Sequence, residues 1–178
     1  MKRGRKISSS LQDGFTLLEC LMTVALIIII LSIASPSFYQ WFQRQHVVTQ
    51  TRAIGQMLNI ASKQAVQTGE PVYVAAVAGK NWCLRLSHSA TCDCLSGRDC
   101  KPLPEEYLLV ADTTDSYLSA GRHATPLAKF EATHGMSMGF ANTLSVYAGA
   151  FESKIILSNL GRVRFCMTPA AGGLPACP

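Results

Sequence analysis

The sequence predicts an α+β fold, with one long N-terminal helix packed on an antiparallel β-sheet domain. Three observations predict it. Between Phe15 and Ser35 there is one charge, Glu19, set among Leu, Ile, Val, Ala and Met. From 37 to 68 apolar residues recur on one helical face. After Pro71 that periodicity stops, and short β-prone runs follow, separated by Gly, Pro, Asn and Ser. A single helix followed by consecutive strands is α+β by the logic of packed layers. The 178 residues suit one anchor and one globular domain, without internal repeat or low-complexity segment.

The apolar run comes first. About 20 such residues in a helix match a hydrocarbon core of ~30 Å. Ahead of it stands a basic leader, Lys2, Arg3, Arg5 and Lys6, expected to stay on the cytoplasmic side. A carboxylate inside a spanning segment costs ~2.5–3.5 kcal/mol on insertion scales, so Glu19 needs a partner. No Lys, Arg or His lies within its helical reach. A cut between Gly14 and Phe15 would create an α-ammonium four residues before it, in this chain or a neighbouring one. An ordinary secretory signal is the bland alternative, with Ser32-Ile33-Ala34 as its cleavage site. Neither that signal nor a plain anchor needs Glu19.

The leader, Gly14 and then Phe15-Thr16-Leu17-Leu18-Glu19 resemble the class III signal of type IV pilins and type II secretion pseudopilins. The resemblance implies cleavage after Gly14 by a prepilin peptidase/methyltransferase and N-methylation of Phe15. Glu19 would be the assembly carboxylate. It also implies storage in the inner membrane with a periplasmic C-terminal domain, and packing with other pilins in a filament. Pro36 sits where many pilins carry a helix-kinking proline. The expected organisation is a leader at 1–14, a transmembrane helix at 15–36, the periplasmic half of that helix at 37–69 and a β-rich domain at 70–178.

The helix over 37–68 follows from Val47, Ile54, Leu58, Ala61 and Ala65, spaced by 7, 4, 3 and 4. Gly69 and Pro71 end it. Phe38, Trp41 and Phe42 form an aromatic cluster that suits a membrane interface or packing against neighbouring subunits. The expected strands are Val72–Val77, Trp82–Leu86, Tyr107–Ala111, Met136–Phe140, Leu144–Tyr147, Lys154–Ser158 and Arg162–Thr168.

Of seven cysteines, Cys20 lies in the apolar run and six lie beyond it, where an oxidising compartment lets disulfides persist. Cys92 and Cys94 are too close in sequence to bridge comfortably, so each is expected to find Cys83 or Cys100, in a pairing left open. A four-thiolate zinc site with His88 as a spare ligand is the sharper alternative. The spacing C-x8-C-x-C-x5-C lacks two CxxC knuckles, and no metal or cofactor is expected. His46, His123 and His134 are scattered singly. Cys166 and Cys177 are expected to close a short loop.

Net charge is +5. The leader carries four positive residues and Asp13, a net of three, so the mature chain keeps +2. Local charge is more telling: after Glu152 there is no acid, while Lys154, Arg162 and Arg164 remain. Lys154–Ser158, Asn159-Leu160-Gly161 and Arg162–Cys166 read as a hairpin, with Gly161 at the left-handed position of a three-residue loop. Strand alternation then turns Val163 and Phe165 inward with Ile155 and Leu157. Arg162 and Arg164 project from the other face about 6.6 Å apart, at ~3.3 Å per residue. Lys154 shares that face, which is expected to hold no acid.

The Gly161-Arg162-Val163-Arg164-x-Cys166 ending, downstream of a pilin-type signal, resembles the FimT branch of the FimT/GspH minor pilins. That branch is linked to pilus biogenesis and to DNA binding in natural transformation. The resemblance implies Arg162 and Arg164 as DNA contacts, with Lys154 added by the face argument. It covers the leader, anchor, long helix and last strand; the middle loop, 87–104, matches nothing. Two function classes result. The first is a minor pilin binding duplex DNA. The second is a structural minor pilin or type II secretion pseudopilin that initiates or caps a filament, or else a strand whose charges merely block edge-to-edge aggregation. An enzyme is not expected: there is no Ser-His-Asp or Cys-His set and no phosphate-binding glycine loop.

Overall fold

The computed structural model describes residues 16–103, 105–111, 116–121 and 125–177, without the side chains of 34–36. Helix α1 spans Leu17–Thr68. Eight strands follow: β1 Val72–Val77, β2 Cys83–Ser87, β3 Leu108–Val110, β4 Ser116–Ala120, β5 Ala128–Phe130, β6 Asn142–Ala148, β7 Phe151–Leu157 and β8 Val163–Thr168. The chain divides into two compact units, 1–39 and 40–178. The fold is α+β with antiparallel sheets, as the sequence predicts.

In the first unit, α1 begins at a cap. The Glu19 N–H donates to the Thr16 hydroxyl at 3.3 Å, the N-cap half of a capping box. Large apolar side chains from Leu17 to Ile33 are exposed. Among the described residues no single helix is long and apolar enough to cross a membrane; the pieces Leu17–Ile33 and Ser37–Thr68 meet that criterion only together.

In the second unit, Val47, Ile54, Leu58, Ala61 and Ala65 are all fully buried, so the predicted helical face is the one that packs. The Gly69 N–H donates to the Ala65 carbonyl at 3.1 Å and stops the helix. The strands form two four-stranded sheets instead of one run of neighbours, in the orders β3-β2-β1-β5 and β4-β6-β7-β8. The chain interleaves them: β4 starts the second sheet, β5 returns to pair with β1, and β6 to β8 complete the second sheet as a meander. A single core joins both sheets to α1, with Val72, Val74, Leu84, Leu118, Leu144, Ile155, Leu157 and Met167 all buried.

Two polar ties cross that core. Ser116 Oγ accepts from the Gln50 amide (3.3 Å) and from the Trp82 indole N–H (3.2 Å), linking α1, the residue just before β2, and β4. Ser62 Oγ donates to the Gly135 carbonyl at 2.8 Å. A further close approach is made by Gly55, in mid-helix. Its backbone meets the Phe165 ring of β8, and a Cβ there would overlap the ring.

The strand expected at Met136–Phe140 is a loop. Gly135 and Gly139 both take positive φ, which breaks an extended run. Two of its backbone donors go to the β7–β8 hairpin tip, Ser137 N–H to the Asn159 carbonyl (3.0 Å) and Gly139 N–H to Asn159 Oδ1 (3.2 Å), which also accepts from the neighbouring Ala141 N–H (3.2 Å), while Phe140 N–H turns back to the Ser137 carbonyl (3.1 Å). Strands β4 and β5 escaped sequence reading because Ser-Tyr-Leu-Ser-Ala and Ala-Lys-Phe are short and poor in β-branched residues.

The middle loop is stapled by Cys83–Cys94 and Cys92–Cys100, which form a small separate core with Ala75. These thiols are paired with each other, so the zinc alternative has no thiolate set. Glu70 accepts from Lys101 at 2.8 Å, and that contact holds its carboxyl below the usual range. The contribution is present above the carboxyl's ordinary pKa and fades as pH falls through the lowered one.

Candidate nucleic-acid interface

The predicted hairpin forms as read. Ser158 N–H donates to the Arg162 carbonyl (3.0 Å), and Gly161, with φ +77°, closes the loop through its N–H to the Ser158 carbonyl (2.9 Å). A Cβ at Gly161 would also press on the Gly135 carbonyl. The register pairs Leu157 with Val163, Ile156 with Arg164, Ile155 with Phe165 and Lys154 with Cys166. Ile155 and Leu157 are buried, and Val163 and Phe165 pack against the same core.

Strand alternation therefore brings Arg162, Arg164 and Lys154 to the outer face of the second sheet. Both arginines are exposed and Lys154 is partly so. Arg162, Arg164, Ile156, Ser158 and Leu160 line a cleft of about 260 Å³. Among the described residues neither arginine is in an ion pair.

The expectation of an acid-free face is corrected. Glu152 lies two residues before Lys154 on the same strand and face, and its Oε1 sits 3.7 Å from Lys154 Nζ. The same oxygen accepts from the Tyr147 hydroxyl at 3.0 Å. The rule that placed Lys154 with Arg164 also places Glu152 there; counting acids only after Glu152 missed it. The two arginines are thus the unneutralised part of the patch.

The cleft is not purely ionic. Ile156 is 37% exposed and Leu160 65%. On the other side of Ile156 a broader depression of about 590 Å³ extends past Thr143.

Behind the arginines the C-terminal tail is fastened by Cys166–Cys177, as expected, and the Met167 N–H donates to the Pro175 carbonyl at 2.8 Å. Arg52 of α1 donates to the Gly172 carbonyl at 2.6 Å, tying the tail to the helix. Cys20 is an exposed free thiol. Glu19 lies exposed in the first turn of α1. Gly14, Phe15 and His123 lie outside the described residues. Among the described residues no group of three or more His, Cys, Asp or Glu is arranged to hold a metal ion. Compared with known proteins, the chain matches no family model, no curated protein and no solved structure, so the reading of this face rests on its own geometry and on the sequence.

Proposed function

We propose that this chain is a minor type IV pilin of the FimT/GspH kind that binds double-stranded DNA without sequence preference, for uptake in natural transformation, and takes part in pilus biogenesis. The observation that carries the DNA reading is the pair Arg162 and Arg164, exposed and side by side on one sheet face beside a cleft. Phosphates of a duplex recur along its backbone, and closely set guanidinium groups neutralise them without reading bases. In this reading the chain is held in the inner membrane by its apolar helix and released into a filament. Glu19 then meets the α-ammonium of Phe15, and retraction carries captured DNA inward. N-terminal sequencing of the processed chain is expected to begin at methylated Phe15; a start after Ala34 would refute the pilin-type leader.

Binding is expected to be weak, with Kd around 10⁻⁴–10⁻⁶ M at physiological salt. The two arginines alone predict a slope of log K against log salt near −1.8, from about −0.9 per phosphate. If Lys154 leaves Glu152 for a phosphate, the slope steepens to about −2.7. Lys154→Ala then weakens binding less than loss of an arginine and returns the slope toward −1.8. A salt-independent affinity, or no binding at low salt, removes the DNA function. The second reading is a structural subunit of a pilus or type II secretion pseudopilus. It draws on Ile156 and Leu160, whose exposure gives the cleft a mixed, protein-docking character.

A further inference from the structure

The outer face of the second sheet carries more than its cations. Tyr117 of β4 stands directly opposite Tyr147 of β6, and their ring centroids are 6.1 Å apart with planes tilted by 52°. Tyr117 is 46% exposed. Glu152 Oε1 joins this pair to the basic patch, since it accepts from the Tyr147 hydroxyl and lies 3.7 Å from Lys154 Nζ. Along the face, the row of Tyr117, Tyr147 and Glu152 is followed by a row of Ser119, Ser145 and Lys154. Thr143, Ile156 and Arg164 form the next row. The 590 Å³ depression beside Thr143 and Ile156 lies at the arginine end of the face, and Lys154 in the middle row stands between that end and the tyrosines.

This is the combination that a single-stranded nucleic acid uses: cations for the backbone beside aromatic faces for unpaired bases. A duplex keeps its bases stacked inside and has no use for an exposed tyrosine. Three strand spacings of ~4.8 Å and two rows of ~6.6 Å separate Tyr117 from Arg164, a diagonal of about 20 Å, which is room for roughly six nucleotides at ~3.4 Å each.

We propose that this face binds unpaired nucleotides, with Tyr117 as the base-stacking platform, Tyr147 as its support and Arg162 and Arg164 on phosphates several nucleotides further along the same strand. The proposal rests on the DNA-binding reading above and narrows it: strand ends and melted stretches are held more tightly than closed duplex. Glu152 acts as a positioning residue, holding the Tyr147 hydroxyl and the Lys154 ammonium in one place.

The test uses the full chain in non-ionic detergent micelles and three fluorescent ligands of equal length: oligothymidylate, an abasic strand with the same phosphates, and a blunt duplex. Oligothymidylate is expected to bind roughly tenfold tighter than the abasic strand, in line with stacking on one or two bases. Tyr117→Leu is expected to remove that advantage and leave duplex affinity within about twofold, while Tyr117→Phe, which keeps the ring, retains it. Upfield movement of the Tyr117 ring protons on adding oligothymidylate would show the stacking directly. Equal affinity for oligothymidylate and the abasic strand, or full binding by Tyr117→Leu, overturns the platform while duplex binding by the arginines stands. A parent chain that binds none of the three ligands overturns both readings.

Discussion

Replacing Arg162 and Arg164 together by alanine is expected to remove most duplex DNA binding and leave the fold intact. Both side chains project from the outer face, opposite the core occupied by Ile155, Leu157 and Phe165. Exposed substitutions of this kind stay within about 0.5 kcal/mol of the parent in stability. What is lost is electrostatic: with Lys154 alone left, and Glu152 beside it, the salt slope should fall to about −0.9 or less. Glu152→Gln should act in the opposite sense, freeing Lys154 and strengthening binding at low salt. Titrating labelled duplex at several salt concentrations, alongside thermal melts, checks both. A double variant that binds as well as its parent would move the function to the structural reading.

The largest stability effect is expected at Gly55, a residue with no visible role until β8 is placed against it. Glycine in a helix interior is unfavourable by about 1 kcal/mol relative to alanine, so its presence calls for a reason. That reason is the Phe165 ring, which occupies the space a Cβ would need. Gly55→Val adds a branched side chain where the ring lies, and overpacking of this sort costs ~1–3 kcal/mol. For a domain of this size the melting temperature should drop by roughly 5–10 °C. Gly55→Ala should be milder, since its gain in helix propensity offsets part of the clash. Combining it with Phe165→Leu should recover stability relative to the sum of the single changes, because residues in contact are coupled. Additive effects would mean the two do not share a space. The Gly55→Val chain should also bind DNA less well, because Phe165 sits between Val163 and Arg164 on one side and Cys166 on the other and sets the height of β8 over the helix.

The helix, the last hairpin and the disulfide-bearing loop were legible because each is encoded locally. The 7-4-3-4 apolar spacing, the Asn159-Leu160-Gly161 loop and the alternation of Val163 and Phe165 with the arginines involve neighbours in sequence. The division into two sheets was not legible, because it depends on β5 returning to β1 across some fifty residues, a pairing no local pattern records. Nor was the loss of Met136–Phe140 as a strand: the Ser137 and Gly139 N–H groups are satisfied by Asn159, a residue of another segment. At the site, alternation placed the cations correctly and, applied two residues further back, would have placed Glu152. Tyr117 could not be found, since β4 itself was not recognised and its partner Tyr147 is fixed only by sheet register.

The clip between Cys166 and Cys177 has a consequence for where this chain can mature. β8 is an end strand, and beyond Phe165 its outer ladder is occupied by the chain's own tail through Met167 and Pro175. In a reducing cytosol the clip does not form, and the tail is held only by the Met167–Pro175 and Arg52–Gly172 hydrogen bonds and by buried Ala171 and Leu174. Whenever those weaker ties open, the ladder lies bare and can template a second molecule. On the pilin reading proposed above, oxidation after export would then do more than strengthen the domain: it would withdraw an adhesive seam before many copies are gathered in one place.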